Sequence, residues 1–157
     1  MLRARDVMQT HVVTVSSSLP LAEFELLLER EKVSGMPVVE GAELCGVVSR
    51  TDLIRTLAAA EGSAEATLAY YQEVGGAAPS PASAGRMASD QVATMVVRDI
   101  MTDEILAVSG DRPVREVAQM MVTRGVHRLL VTEGRRLLGL VTMLDLVCAI
   151  AEGRINE

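Results

Sequence analysis

The chain has 157 residues, 49% of them hydrophobic and 23% charged, with a formal net charge of −6. That length suits one compact domain or two small units sharing a core, with no need for disulfide staples. The acidic balance excludes a nucleic-acid polymer as the main partner, because neutralising phosphates takes a broad basic face; a small anion held by a few arginines stays open. With one Phe, two Tyr and no Trp, the core has to be built from aliphatic residues and the nine methionines. Cys45 and Cys148 stand in the apolar runs ELCGVV and LVCAIA, where buried free thiols are expected rather than a disulfide. The opening MLRARDVM lacks an apolar signal core, and no run approaches the roughly 20 apolar residues of a membrane span. The expectation is a cytoplasmic protein without membrane association.

In chain order, HVVTV predicts a short leading strand, and a helix is expected to start near Ser18 as N-cap, with Pro20 just inside its first turn. Leu21, Phe24, Leu27 and Leu28 recur at helical spacing and mark its buried face. MPVVEGAELCGVVS reads as two strands around a glycine turn, and the consecutive apolar residues of PVV predict burial on both faces. A second helix follows from SRTDL. The Ala- and Glu-rich stretch after it extends that helix as far as Tyr70 and Tyr71, and GGAAPSPASAG has the composition of a linker.

The remainder repeats the beginning. Shifted by 93, residues 5–53 fall on 98–146 without a gap, and 16 of the 49 pairs are identical. EILAV predicts the second leading strand, and Asp111 and Pro113 take the places of Ser18 and Pro20. Val114, Val117, Met120 and Met121 line the second buried helical face, and LLVTEGRRLLGLVT forms the second strand pair. Each copy, of 55 to 60 residues, is marginal alone, so the two are expected to bury apolar faces against each other. The boundaries read as 1–58 for the first copy, 59–94 for helical extension and linker, and 95–157 for the second copy.

GVVSRTDL and GLVTMLDL carry the chemistry. A strand ends at Ser49 or Thr142 and a helix begins, which puts the hydroxyl at the N-cap and Asp52 or Asp145 at the third helical position. A capping box alone accounts for that spacing. Two features point further: Gly46 and Gly139 weaken a strand interior unless something approaches the backbone there, and a helix N-terminus attracts an anion. A carboxylate beside such a site can accept both hydroxyls of a ribose while the helix start and the hydroxyl hold a phosphate, which suits a nucleotide. His11 and His127 lack metal-ligand spacing, and no nucleophile with base and orienting group can be assembled. Neither a metal site nor an enzyme is expected.

The repeated pattern RDVM, VVTV, PLAEF, VSGMPVVEGAELCGVVSRTDL, matched by RDIM, ILAV, PVREV, GVHRLLVTEGRRLLGLVTMLDL, resembles the CBS (cystathionine β-synthase) domain, in its tandem form. The resemblance implies an α/β (α+β) fold of two β-α-β-β-α units, paired through their sheets with pseudo-two-fold symmetry and two clefts. It also implies adenosine ligands such as AMP, ADP, ATP or S-adenosylmethionine, with no catalytic cofactor. By the same resemblance Asp52 and Asp145 match the ribose-binding aspartate, and Ser49 and Thr142 the hydroxyl beside it. Val12, Val13, Ile105 and Leu106 match positions flanking the base, with Met36 and Pro37 or Leu129 and Leu130 on its other side. His127 and Arg128 look like the basic pair that takes phosphates in the γ subunit of the AMP-activated kinase. The copies differ where Ser34 and Gly35 replace that pair, and where Thr14 and Arg50 face Ala107 and Met143, so unequal sites are expected. The expected function is a sensor that changes conformation on nucleotide binding and modulates a protein partner; the alternative is a ligand-free scaffold or interaction module. A homodimer is expected from the paired stripes Leu53, Ile54 and Leu57 and Leu146, Val147 and Ile150.

Overall fold

The computed structural model describes residues 1–57, 70–72 and 93–155. Each copy folds as strand, helix, strand, strand, helix, a mixed α+β architecture. The first comprises β1 (Val15–Ser16), α2 (Leu21–Glu31), β2 (Gly35–Glu40), β3 (Glu43–Ser49) and α3 (Arg50–Leu57), and a helical turn, α1 (Ala4–Val7), precedes it. The second comprises β4 (Ala107–Ser109), α4 (Val114–Arg124), β5 (Arg128–Glu133), β6 (Arg136–Thr142) and α5 (Met143–Ala151), preceded by a 3-10 turn at Val97–Asp99.

The strands follow one plan twice. β1 runs parallel to β2, which pairs antiparallel with β3 from Gly35 opposite Ser49 to Glu40 opposite Glu43. β4, β5 and β6 repeat this, from Arg128 opposite Thr142 to Glu133 opposite Arg136, with an irregularity at the equivalent position of each hairpin. Of the run PVV, Pro37 and Val38 are buried on successive residues as predicted, continuing from buried Gly35 and Met36, whereas Val39 is half-buried. Leu21, Phe24 and Leu28 turn inward from α2 and pack with Val15, Met36, Val38, Val48, Leu53 and Val97. On α4 the buried residues are Val114, Val117 and Met121.

Compact units and sequence copies divide the chain differently. One unit is Val13–Ile105; the other joins Met1–Val12 to Leu106–Glu157. The segment before each copy thus packs in the unit built from the other copy, and it does so through equivalent hydrogen bonds. In the first unit the N–H groups of Val97 and Arg98 donate to the carbonyls of Leu19 and Ser17 (2.9 and 2.8 Å). In the second, those of Ala4 and Arg5 donate to Arg112 and Gly110 (2.8 and 3.0 Å).

This docking corrects the expected helix starts. Pro20 and Pro113 are the N-caps, and no cap side chain bonds to either helix. The Leu21 N–H donates instead to the Met95 carbonyl (3.1 Å) and the Val114 N–H to that of Leu2 (2.9 Å), so backbone from a distant segment replaces a capping side chain. Asp111 is left to pair with Arg3 and Arg5. The leading strands are shorter than predicted, since only Val15–Ser16 and Ala107–Ser109 find a ladder partner. Cys45 is half-buried as a free thiol, but Cys148 is exposed, because α5 turns it away from buried Leu146 and Ala149. Of the predicted extension and linker, Tyr70–Gln72, Ala93 and Thr94 are described and the rest lies outside the described residues.

Candidate functional site

In the first unit β3 runs directly into α3, and the predicted capping box forms. The Ser49 N–H and hydroxyl donate to Asp52 Oδ2 at 2.7 and 2.9 Å, and the Asp52 N–H donates back to Ser49 Oγ at 3.2 Å. The Arg50 N–H donates to the Ser34 carbonyl (2.7 Å), which ties the helix start to the strand beside it. Among the described residues the buried polar or charged side chains are Ser17, Ser49, Arg50 and Asp52, so three of the four meet at this junction. Burial pushes the Asp52 carboxyl above the usual carboxylate range, opposed by the two Ser49 hydrogen bonds and by the Arg55 guanidinium. The Ser34 hydroxyl is buried without a hydrogen-bond partner among the described residues.

Tyr70, expected only as the end of the extended helix, also lies in this region. A Cβ on Gly35 would lie 2.6 Å from Tyr70 Cδ2, so the ring packs directly against the glycine that takes the place of Arg128 in the first copy. Tyr71 meets it edge-on at 5.1 Å, and both rings are buried. The available signal was a glycine at the start of an apolar strand in a chain with three aromatic residues.

The second unit repeats the junction with different surroundings. The Thr142 N–H and hydroxyl donate to Asp145 Oδ2 at 2.7 and 2.8 Å, and the Asp145 N–H returns to Thr142 Oγ1 at 3.2 Å. The Met143 N–H donates to the His127 carbonyl (2.8 Å), matching Arg50 and Ser34. His127, Arg128 and Asp145 are half-buried, and Met143, in the place of buried Arg50, is exposed. Gln9 adds a contact not anticipated from the sequence: its Nε2 donates to both oxygens of Asp145, at 3.0 and 3.2 Å.

Other predicted residues border these junctions. Met36 and Pro37 are buried opposite Val48 and Val47, and Leu129 and Leu130 are buried opposite Val141 and Leu140. Leu106 accepts a bond from the Leu130 N–H (3.2 Å), and Val13 packs against the core of its unit. Val12, Thr14 and Ile105 are half-buried. The close approach expected at Gly46 and Gly139 is real, but the chain itself makes it. A Cβ on Gly46 would lie 2.6 Å from the Thr102 carbonyl oxygen, and one on Gly139 would collide with that of Gln9. Among the described residues no group of three His, Cys, Asp or Glu side chains is placed to hold a metal ion, and no helix is long and apolar enough to cross a membrane.

Among curated proteins the chain is 26% identical over 144 residues to an inosine-5'-monophosphate dehydrogenase of Korarchaeum cryptofilum, covering 91% of this chain and 23% of that enzyme. It is 23% identical over 161 residues to an uncharacterised protein of Methanocaldococcus jannaschii, covering 93% and 89%. The chain therefore spans about a quarter of the first relative and most of the second. Among solved structures, CBSX2 in complex with AMP matches with a TM-score of 0.68 at 22% identity, over 99% of this chain and all of that one. The CBS domain pair of protein MJ0100, in complex with 5'-methylthioadenosine and S-adenosyl-L-methionine, matches with a TM-score of 0.62 at 18% identity, over 98% of each chain. The family model for the CBS domain matches residues 4–59 and again 97–152, and the chain belongs to that family as a tandem pair of CBS domains.

Proposed function

We propose that the protein is a non-catalytic regulatory module that binds an adenosine nucleotide, of the class AMP, ADP, ATP or S-adenosylmethionine, at one or both strand-to-helix junctions. In this reading Asp52 and Asp145 accept the ribose hydroxyls, Ser49 and Thr142 stand beside them, and Arg50 in one copy, or Arg128 with His127 beside it in the other, engages the phosphate. The observation that carries it is the way each capping box engages its aspartate. The cap bonds reach Oδ2 alone, and a carboxylate has about four acceptor positions, so capping and ligand binding are compatible at one residue. A chain of the same fold in complex with AMP and another with S-adenosylmethionine support the ligand class. Regulation then follows if the nucleotide binds one conformation better than another and a protein partner senses the difference. We place the module in the cytoplasm as a homodimer.

The test is calorimetry with AMP, ATP and S-adenosylmethionine on the parent, Asp52→Asn and Asp145→Asn. Losing a charge-assisted hydrogen bond costs about 1.5–3 kcal/mol, so each substitution is expected to weaken its own site roughly ten- to more than a hundredfold, and unequally. Parent-like affinity in both variants, with each helix destabilised by about 1 kcal/mol, leaves the aspartates as caps and the protein as a scaffold.

A further inference from the structure

We infer that Gln9 is a built-in competitor for the Asp145 carboxylate, so that a nucleotide engages the second copy's site only by displacing it; this rests on the ribose role proposed above. The cap occupies Asp145 Oδ2, and the oxygen it leaves, Oδ1, takes the shorter Gln9 bond at 3.0 Å, with Oδ2 at 3.2 Å from the same nitrogen. The amide nitrogen is shared between both carboxylate oxygens and covers the acceptor positions that ribose hydroxyls would need, so the two occupants exclude each other.

Gln9 is held in place to do this. Its backbone exchanges two hydrogen bonds with Leu140 (2.8 and 2.9 Å), beside Gly139, where a side chain would collide with the Gln9 carbonyl. The other copy supplies an internal control. Thr102 makes the equivalent pair of bonds with Val47 (2.9 and 3.0 Å) beside Gly46, yet its hydroxyl accepts from the Glu104 N–H (3.3 Å) and does not extend to Asp52. The same backbone frame therefore carries a competitor in one copy and not in the other. Gln9 side-chain rotation, without backbone movement, is enough to release the carboxylate.

AMP titrated calorimetrically into the parent, Gln9→Ala, Gln9→Thr, Asp145→Asn and the Gln9→Ala/Asp145→Asn double variant tests this. Gln9→Ala and Gln9→Thr are expected to tighten one AMP site about three- to tenfold, the range for relieving a partly exposed charge-assisted hydrogen bond, and the gain should vanish in the double variant. The Gln9 side-chain amide resonances, assigned by their absence in Gln9→Ala, should shift when the parent is saturated with AMP. Unchanged or weaker binding in both Gln9 variants, while Asp145→Asn still weakens the parent, overturns the inference and leaves the ribose role standing. Affinity indifferent to Asp145 in every background, or AMP binding by none of the proteins, overturns both.

Discussion

A carboxylate that caps its own helix commits one oxygen to the backbone, and Asp52 does so while only 6% exposed. Desolvation then outweighs the Ser49 bonds and Arg55, and its pKa rises. The folded state therefore holds this proton more tightly than the unfolded chain. The associated stability is fully present below the unfolded carboxylate pKa and is lost as pH rises through the higher folded value. Urea unfolding in steps across the weakly acid range should show the parent losing an increment of stability with rising pH that Asp52→Asn does not lose. A parent-to-variant difference constant with pH would show that burial does not govern this group. At this scale the sequence placed both capping boxes correctly, because hydroxyl and carboxylate three residues apart interact through local geometry alone. Gln9 and Tyr70 were not legible as neighbours of the site, since they reach it from 136 residues away in one case and from beyond the end of α3 in the other.

Each strand pair accepts a distant segment of backbone at its glycine. Gly46→Ala would put a methyl group 2.6 Å from the Thr102 carbonyl oxygen and 2.9 Å from Met101 Sδ; the thioether can turn away and the carbonyl cannot. Destabilisation of about 1–3 kcal/mol is expected in urea unfolding, as for overpacking elsewhere, with increased exchange of the Val47 amide that bonds to Thr102. The C-termini of α2 and α4 offer a second comparison. Both end in a left-handed residue, Lys32 at φ 53° and Gly125 at φ 66°, at equivalent positions. Only glycine adopts that conformation without a steric penalty from Cβ, so Lys32→Gly should stabilise the protein by about 0.5–1 kcal/mol and Gly125→Ala should destabilise it by a similar amount. Thermal melts would detect both, and a lower melting temperature for Lys32→Gly would contradict the account.

For the molecule as a whole, α5 bears on assembly. Leu146 faces inward at 6% exposure, whereas Leu144, Val147 and Ile150 are 66%, 52% and 59% exposed, with Met143 and Cys148 also at the surface. On α3, Leu53 is buried and Ile54 exposed, so both helices divide their apolar residues into an inward and an outward stripe. An apolar outward stripe is what a two-fold contact between copies needs. Sedimentation at tens of micromolar is expected to give a dimer for the parent and a monomer for Val147→Asp. Maleimide labelling of Cys148 should be slower in the parent than in that variant. A parent that sediments as a monomer would remove the dimer from the proposal.

The 93-residue repeat, the order of elements, the buried face of α2 and the capping boxes were all readable from the chain, because period, apolar runs and hydroxyl-to-carboxylate spacing act over a few residues. The reason for Gly46 and Gly139 was readable only in outline: something had to come close, and a ligand and a backbone leave the same trace in sequence. Tertiary structure decided between them by docking residues 2–9 and 95–102 onto strands and helix starts of distant segments. That docking also replaced the expected caps Ser18 and Asp111 with carbonyls from Met95 and Leu2, and set Gln9 against Asp145. Contacts of this kind depend on where the fold closes long loops, and residue type near the site carries no record of that.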